Sequence, residues 1–147
     1  MISFVTGQSR MNTDRFTSLS TYSMENIQSF SGSVSEFYDN GSKKLTGRYK
    51  NGLRNGKWVW YNENGEIDST GSYRNGLMYG QWIFYYDNGN LKAKGQYRGG
   101  NGSKHGQNNG IPIDGRNGRW IFWYENGVKK EEGTYKNSRR EGLWTRW

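Results

Sequence analysis

The sequence predicts an all-β protein: an elongated antiparallel β-meander of hairpin repeats, each about 24 residues long. Three recurrences carry this. Asn-Gly falls at 40/41, 64/65, 88/89 and 126/127, in steps of 24, 24 and 38. Gly-x-Tyr follows with the same steps, at Gly47/Tyr49, Gly71/Tyr73, Gly95/Tyr97 and Gly133/Tyr135. Gly-x-Trp recurs at Gly56/Trp58, Gly80/Trp82, Gly118/Trp120 and Gly142/Trp144, in steps of 24, 38 and 24. Several landmarks holding one register define an internal repeat. The step of 38 is one period with 14 extra residues between Tyr97 and Trp120.

Residues 1–32 read as a polar leader rich in Ser, Thr and Asn, expected to be extended or partly disordered. Residues 33–147 form the repeat domain, with a faint first copy at Gly32/Val34 and a Gly/Asn-rich insertion at about 99–115. Within a copy, runs such as Trp58–Tyr61 and Trp82–Tyr86 are aromatic and β-branched, which suits a pleated strand. Asn-Gly then supplies a hairpin turn. The next segment, such as Leu91–Tyr97, alternates with period two, and Tyr-x-Asn-Gly closes a second turn. The insertion reads as a long flexible loop, dispensable for folding, with His105 exposed. Its Gly-x-Gly spacings lack the strand-to-helix context of a phosphate loop.

Alternation assigns faces. Trp58, Trp82, Trp120 and Trp144, with Tyr49, Tyr73, Tyr97 and Tyr135, form the expected structural core. A recurrent Gly inside a strand admits a close neighbour, and the indole of an adjacent strand is the expected one. The opposite face of the second strands is polar and basic: Arg48/Lys50, Ser72/Arg74, Lys92/Lys94/Gln96/Arg98. The first strands carry further apolar side chains there, Val59/Tyr61, Ile83/Tyr85, Ile121/Trp123 and Thr145/Trp147. Phe16, Leu19, Tyr22, Ile27 and Phe30 of the leader are a possible internal cover for them. Otherwise Tyr61, Tyr85, Trp123 and Trp147, flanked by Lys92, Lys94 and Arg98, mark a partner-binding surface.

These residues, Gly-x-Trp, Tyr/Trp-Tyr-x-x-Asn-Gly and Gly-x-Tyr-x-Asn-Gly, resemble the MORN repeat, and more closely its bacterial variant found in YwqK-type antitoxin components. The resemblance covers about residues 33–147; Ser138, where other copies have Gly, and the insertion depart from it. It implies a non-catalytic protein-interaction or scaffold module, with antitoxin- or immunity-like binding of a partner protein as one form. Peripheral binding of anionic phospholipid through the basic face is the alternative, and glycan or cell-wall binding a further one.

Composition narrows the classes. Aromatic residues make up 16% of the chain, which excludes a wholly disordered protein. No apolar run reaches the 18 or so residues of a membrane helix. Zero Cys and one His remove thiolate chemistry and His-based sites, so no enzyme activity, metal or cofactor is expected. The net charge of +8 favours an anionic partner. Lys92, Lys94, Arg98, Lys104, Arg116 and Arg119 surround the insertion and are the candidate lipid contacts. Nucleic acid is disfavoured because stacking bases requires exposed rings, and most rings here serve the core. The start of the chain lacks the pattern of a secretory signal, so a cytoplasmic location is expected. The terminal strand Leu143–Trp147 offers an edge for a second copy.

Overall fold

The computed structural model describes residues 30–103 and 109–147 in full, and the backbone of 2–6 and 9–12. The expectations for Phe16, Leu19, Tyr22 and Ile27, and for Lys104 and His105, lie outside the described residues. Among the described residues every element is a strand: β1 (Ile2–Thr6), β2 (Ser9–Asn12), β3 (Gly32–Phe37), β4 (Lys43–Lys50), β5 (Leu53–Arg54), β6 (Gly56–Tyr61), β7 (Ile67–Arg74), β8 (Leu77–Tyr85), β9 (Leu91–Gly100), β10 (Arg116–Trp123), β11 (Lys129–Lys136) and β12 (Arg139–Arg146). They form one open sheet. From β3 to β12 the strands follow in chain order, with the two-residue β5 pairing β4 beside β6; β1 pairs β3 and β2. All pairings are antiparallel. The meander of hairpin repeats is therefore the fold.

Two kinds of turn alternate along it. At the four landmark Asn-Gly pairs the loop is three residues long. Tyr38 N donates to Ser42 O (2.9 Å), Gly41 N donates back to Tyr38 O (2.9 Å), and Gly41 alone takes positive φ. This is a type I turn closed by a left-handed residue. At 51/52, 75/76 and 137/138 the loop has two residues, both at positive φ, and pairs Lys50 with Leu53, Arg74 with Leu77 and Lys136 with Arg139. That is a type I′ turn, whose twist matches the flanking strands. Ser138 adopts φ 69 where the other copies have Gly, and its hydroxyl accepts a bond from Gly115 N at 2.8 Å. A hydrogen bond to the start of β10 thus accompanies the departure from glycine.

The core lies on one face. Trp58, Trp82 and Trp120 are buried in a ring ladder with Tyr73, Tyr97 and Tyr135, and half-buried Tyr49 and Trp144 continue it. Each Tyr meets the following Trp edge-on at 5.1–5.2 Å. A second ring in each strand, Trp60, Phe84 or Phe122, extends the stack two residues on. Gly71 shows why the second strands carry glycine: a Cβ there would stand 2.1 Å from Trp82 Cδ2. The absent side chain is the seat of the indole. The indole N–H then donates to the carbonyl of the residue after that glycine, from Trp58 to Arg48 O, Trp82 to Ser72 O and Trp120 to Gln96 O, at 3.1–3.2 Å.

Copies are also stitched at their turns. Asn40, Asn64 and Asn88 each donate through Nδ2 to a carbonyl of the next copy, that of Glu63, Asp87 and Glu125, at 3.2 Å. Tyr38 and Tyr86 donate their hydroxyls to Tyr61 O (2.7 Å) and Trp123 O (2.9 Å). The turn acids thus lend main-chain carbonyls to the stitching.

The described part of the insertion is not a free loop. Ile111 is 1% exposed and belongs to the core, and Pro112 is buried beside it. The described part is tied at both ends: Arg98 N donates to Gly115 O (2.8 Å) and Ile113 N to Ser103 O (2.9 Å). Burial of Ile111 corrects the expectation of a long flexible loop there, and removing it would uncover apolar surface.

Candidate functional site

Tyr61, Tyr85, Trp123 and Trp147 occupy equivalent places near the three-residue turns of successive hairpins and at the end of β12. Two strand spacings separate neighbours, roughly 10 Å, so they form a spaced row and not one patch. Tyr61, Tyr85 and Trp123 are half-buried, while Trp147 is 55% exposed with Lys129 Nζ 5.0 Å from its ring centroid. Trp60, Phe84 and Phe122 belong to the ring ladder, and Val59, Ile83 and Ile121 stand on the far face beside this row.

The register gathers cations on that far face. Arg48, Lys50, Lys57, Arg74, Lys94 and Arg98 flank the inward residues Gly47, Tyr49, Trp58, Tyr73, Gly95 and Tyr97, so alternation turns all six away from the ladder. All are exposed, and none makes an ion pair with a described carboxylate. Lys92 does not join them. It is the extra residue of a bulge opposite Phe84/Tyr85, with its ammonium 5.5 Å from the Tyr86 ring centroid.

Two further cations from the expected lipid-contact set are occupied elsewhere. Arg119 reaches both carboxylate oxygens of Glu132 at 3.1 Å. Arg116 is 0% exposed. Its guanidinium donates to Pro112 O (2.9 Å), Ile111 O (3.0 Å) and Tyr135 Oη (2.9 Å), and lies 4.6 Å from the Trp120 ring centroid. A buried cation is costly unless paired; here carbonyls, a hydroxyl and ring faces replace its water. Arg116 is a structural bolt between insertion and ladder.

Arg116 is one member of a row that the landmarks do not disclose. Four residues before each core tryptophan stand Arg54, Met78, Arg116 and Arg140, paired across the sheet with Tyr49, Tyr73, Tyr97 and Tyr135. Arg54 lies 5.0, 5.7 and 5.4 Å from the ring centroids of Trp58, Trp60 and Tyr73. Arg140 lies 3.9 Å from Trp144 and donates to Glu131 at 2.6 Å. Burial pushes the Tyr73 and Tyr97 hydroxyls above the usual phenol range, partly offset by Arg54 and Arg116 respectively.

Beside Met78 the row opens into a groove of about 430 Å³, bordered by Arg54, Trp60, Phe84, Tyr85, Lys92 and Ile111. Tyr85 and Lys92, expected on a surface with Trp123 and Trp147, thus also reach this groove. Among the described residues no group of three His, Cys, Asp or Glu side chains forms a metal site. No described helix is long and apolar enough to cross a membrane.

The repeat signature matches the MORN repeat variant over residues 31–51, 54–75, 78–98 and 116–137, more than half of the chain. The chain belongs to this family. The copies of the MORN repeat variant coincide with the hairpins, and the unmatched stretch 99–115 is the insertion. No curated protein matches the chain. MORN repeats generally serve as interaction modules toward proteins and lipids, and the sheet is consistent with such a scaffold.

Proposed function

We propose that this MORN-type chain is a non-catalytic module that binds a protein partner through the face opposite its ring ladder, centred on Tyr61, Tyr85, Trp123 and Trp147. One observation carries the reading. All described strands lie in a single sheet, so no described element covers Val59, Ile83 and Ile121 on that face. Sheets bury an apolar face against a second layer, and a partner supplies that layer here. Burial of aromatic anchors is what such interfaces use. Covering of a toxin surface is the form that the resemblance implies.

The six unpaired cations favour a second reading, docking on an anionic phospholipid surface. Each Lys or Arg near such a surface contributes about 1 kcal/mol, screened by salt. Affinity capture from the native cells separates the two. A Tyr85→Ala, Trp123→Ala double variant should lose a protein partner at low and high salt, while Lys94→Glu, Arg98→Glu retains it at high salt. If the folded aromatic variant keeps its partner and the charge variant loses it, the anionic-surface reading replaces the first.

A further inference from the structure

Among the described residues, one guanidinium of the arginine row has neither a carboxylate nor a carbonyl acceptor. Arg116 donates to two carbonyls and a hydroxyl. Arg140 holds Glu131. Arg54 rests on its three rings, and no described carboxylate pairs with it. The next place in the row is Met78, so no second guanidinium fills the space over Trp82 and Phe84. The insertion walls that space with Ile111 and Pro112.

The resulting groove has the size of a small-ligand or side-chain pocket. Its floor is apolar. Its charged lining is Arg54 and Lys92 against Asp68, a net charge of +1 that one carboxylate neutralises. A guanidinium with open N–H donors takes a carboxylate through two parallel bonds.

We propose that this groove receives an acidic–aromatic segment of a protein partner, its carboxylate on Arg54 and its ring against Trp60 and Phe84. Asp68, whose Oδ2 accepts from Ser69 Oγ at 2.8 Å, stands at the same groove to accept a backbone N–H of the segment. The assignment rests on the reading of the chain as a protein-binding module but uses the ladder side of the sheet, which that reading does not require.

The test follows the indole N–H resonances while a capped Gly-Asp-Phe-Gly peptide is titrated into the full chain. Trp60 and Trp82 should shift saturably. The Asn analogue of the peptide should bind about tenfold more weakly, the loss expected for one charge-assisted hydrogen bond. Arg54→Met should lose the same factor while melting unchanged, because methionine occupies the equivalent place at 78. Lys92→Glu, at the rim, should abolish binding and serves if Arg54→Met fails to fold. Equal binding of the two peptides, or binding retained in the folded variants, overturns the proposal. Shifts confined to Trp123 and Trp147 overturn it too, while leaving the far-face function standing. Tighter binding of 3-phenylpropionate than of the peptide would reassign the groove to a small carboxylate and also overturn it.

Discussion

The indole of Trp82 lies on the backbone of Gly71, so close that the smallest side chain at 71 would stand 2.1 Å from ring carbon Cδ2. Gly47, Gly95 and Gly133 carry Trp58, Trp120 and Trp144 in the same way, with distances of 2.0–2.3 Å. Gly80, two residues before Trp82, is glycine for another reason. A Cβ there meets nothing within 4 Å, but its φ is +69°.

The two glycines should therefore answer differently to substitution. Gly71→Ala forces the ring off its seat and should cost about 3 kcal/mol, at the upper end of overpacking losses. Gly80→Ala strains only the backbone and should cost about 1–2 kcal/mol. Asparagine, which tolerates left-handed φ, should rescue position 80 and not 71. Trp82→Ala should cost about 3–5 kcal/mol. Urea melts of the five variants check the order.

Ile111 tests the wall of the insertion. Ile111→Ala should destabilise by about 2–5 kcal/mol, as for other buried aliphatic truncations. Deleting residues 101–114 should cost more, because it also strips Arg116 of two carbonyl partners and leaves a buried cation. A deletion variant that melts at the wild-type temperature would show that neither contact contributes.

Asn62 stands where other copies have Tyr38, Tyr86 and Tyr124, and its buried Nδ2 has no hydrogen-bond partner. Asn62→Tyr should send a hydroxyl to the Tyr85 carbonyl, as Tyr38 does to Tyr61. The expected gain is about 1 kcal/mol, read as a rise in melting temperature. A fall would mean that the copy around 62 is too tight for the ring.

Alkaline pH should loosen the ladder. Tyr73 and Tyr97 have native pKa values raised above the ordinary 10.0, chiefly by burial. The native state holds their protons after the unfolded chain has released them. Stability is thus fully present below about pH 10 and falls as pH rises from there through the native values. Thermal melts at increasing pH measure this, and phenolate absorbance from these two rings should appear only with unfolding. A melting temperature that stays level well above pH 10 would contradict their burial.

Much of this was legible because it repeats. The Gly71–Trp82 spacing of 11 recurs at 47/58 and 133/144, and at 95/120 once the 14 inserted residues are subtracted, so a pairwise steric fit became a periodic signal. The arginine row was not legible, because its place is filled by Arg54, Met78, Arg116 and Arg140 in turn, and a varied position leaves no landmark. Trp60, Phe84 and Phe122 vary likewise. Ile111 was hidden by company: glycine and asparagine around it read as a loop, and only the Ile111-Pro112-Ile113 run hinted at burial. Lys92 was assigned by strict alternation, which the bulge breaks.

At the three-residue turns asparagine 40, 64 or 88 reaches forward to the following copy, while at the two-residue turns Gly76 N and Ser138 N reach back to Arg54 O and Arg116 O. The sheet is therefore a chain of nearest-neighbour couplings, in the sense of a one-dimensional lattice. Sites with a single neighbour fray before sites with two. Amide-exchange protection should consequently peak around Trp82 and decay toward both ends, and duplicating one interior copy should raise that peak without altering the decay on either side.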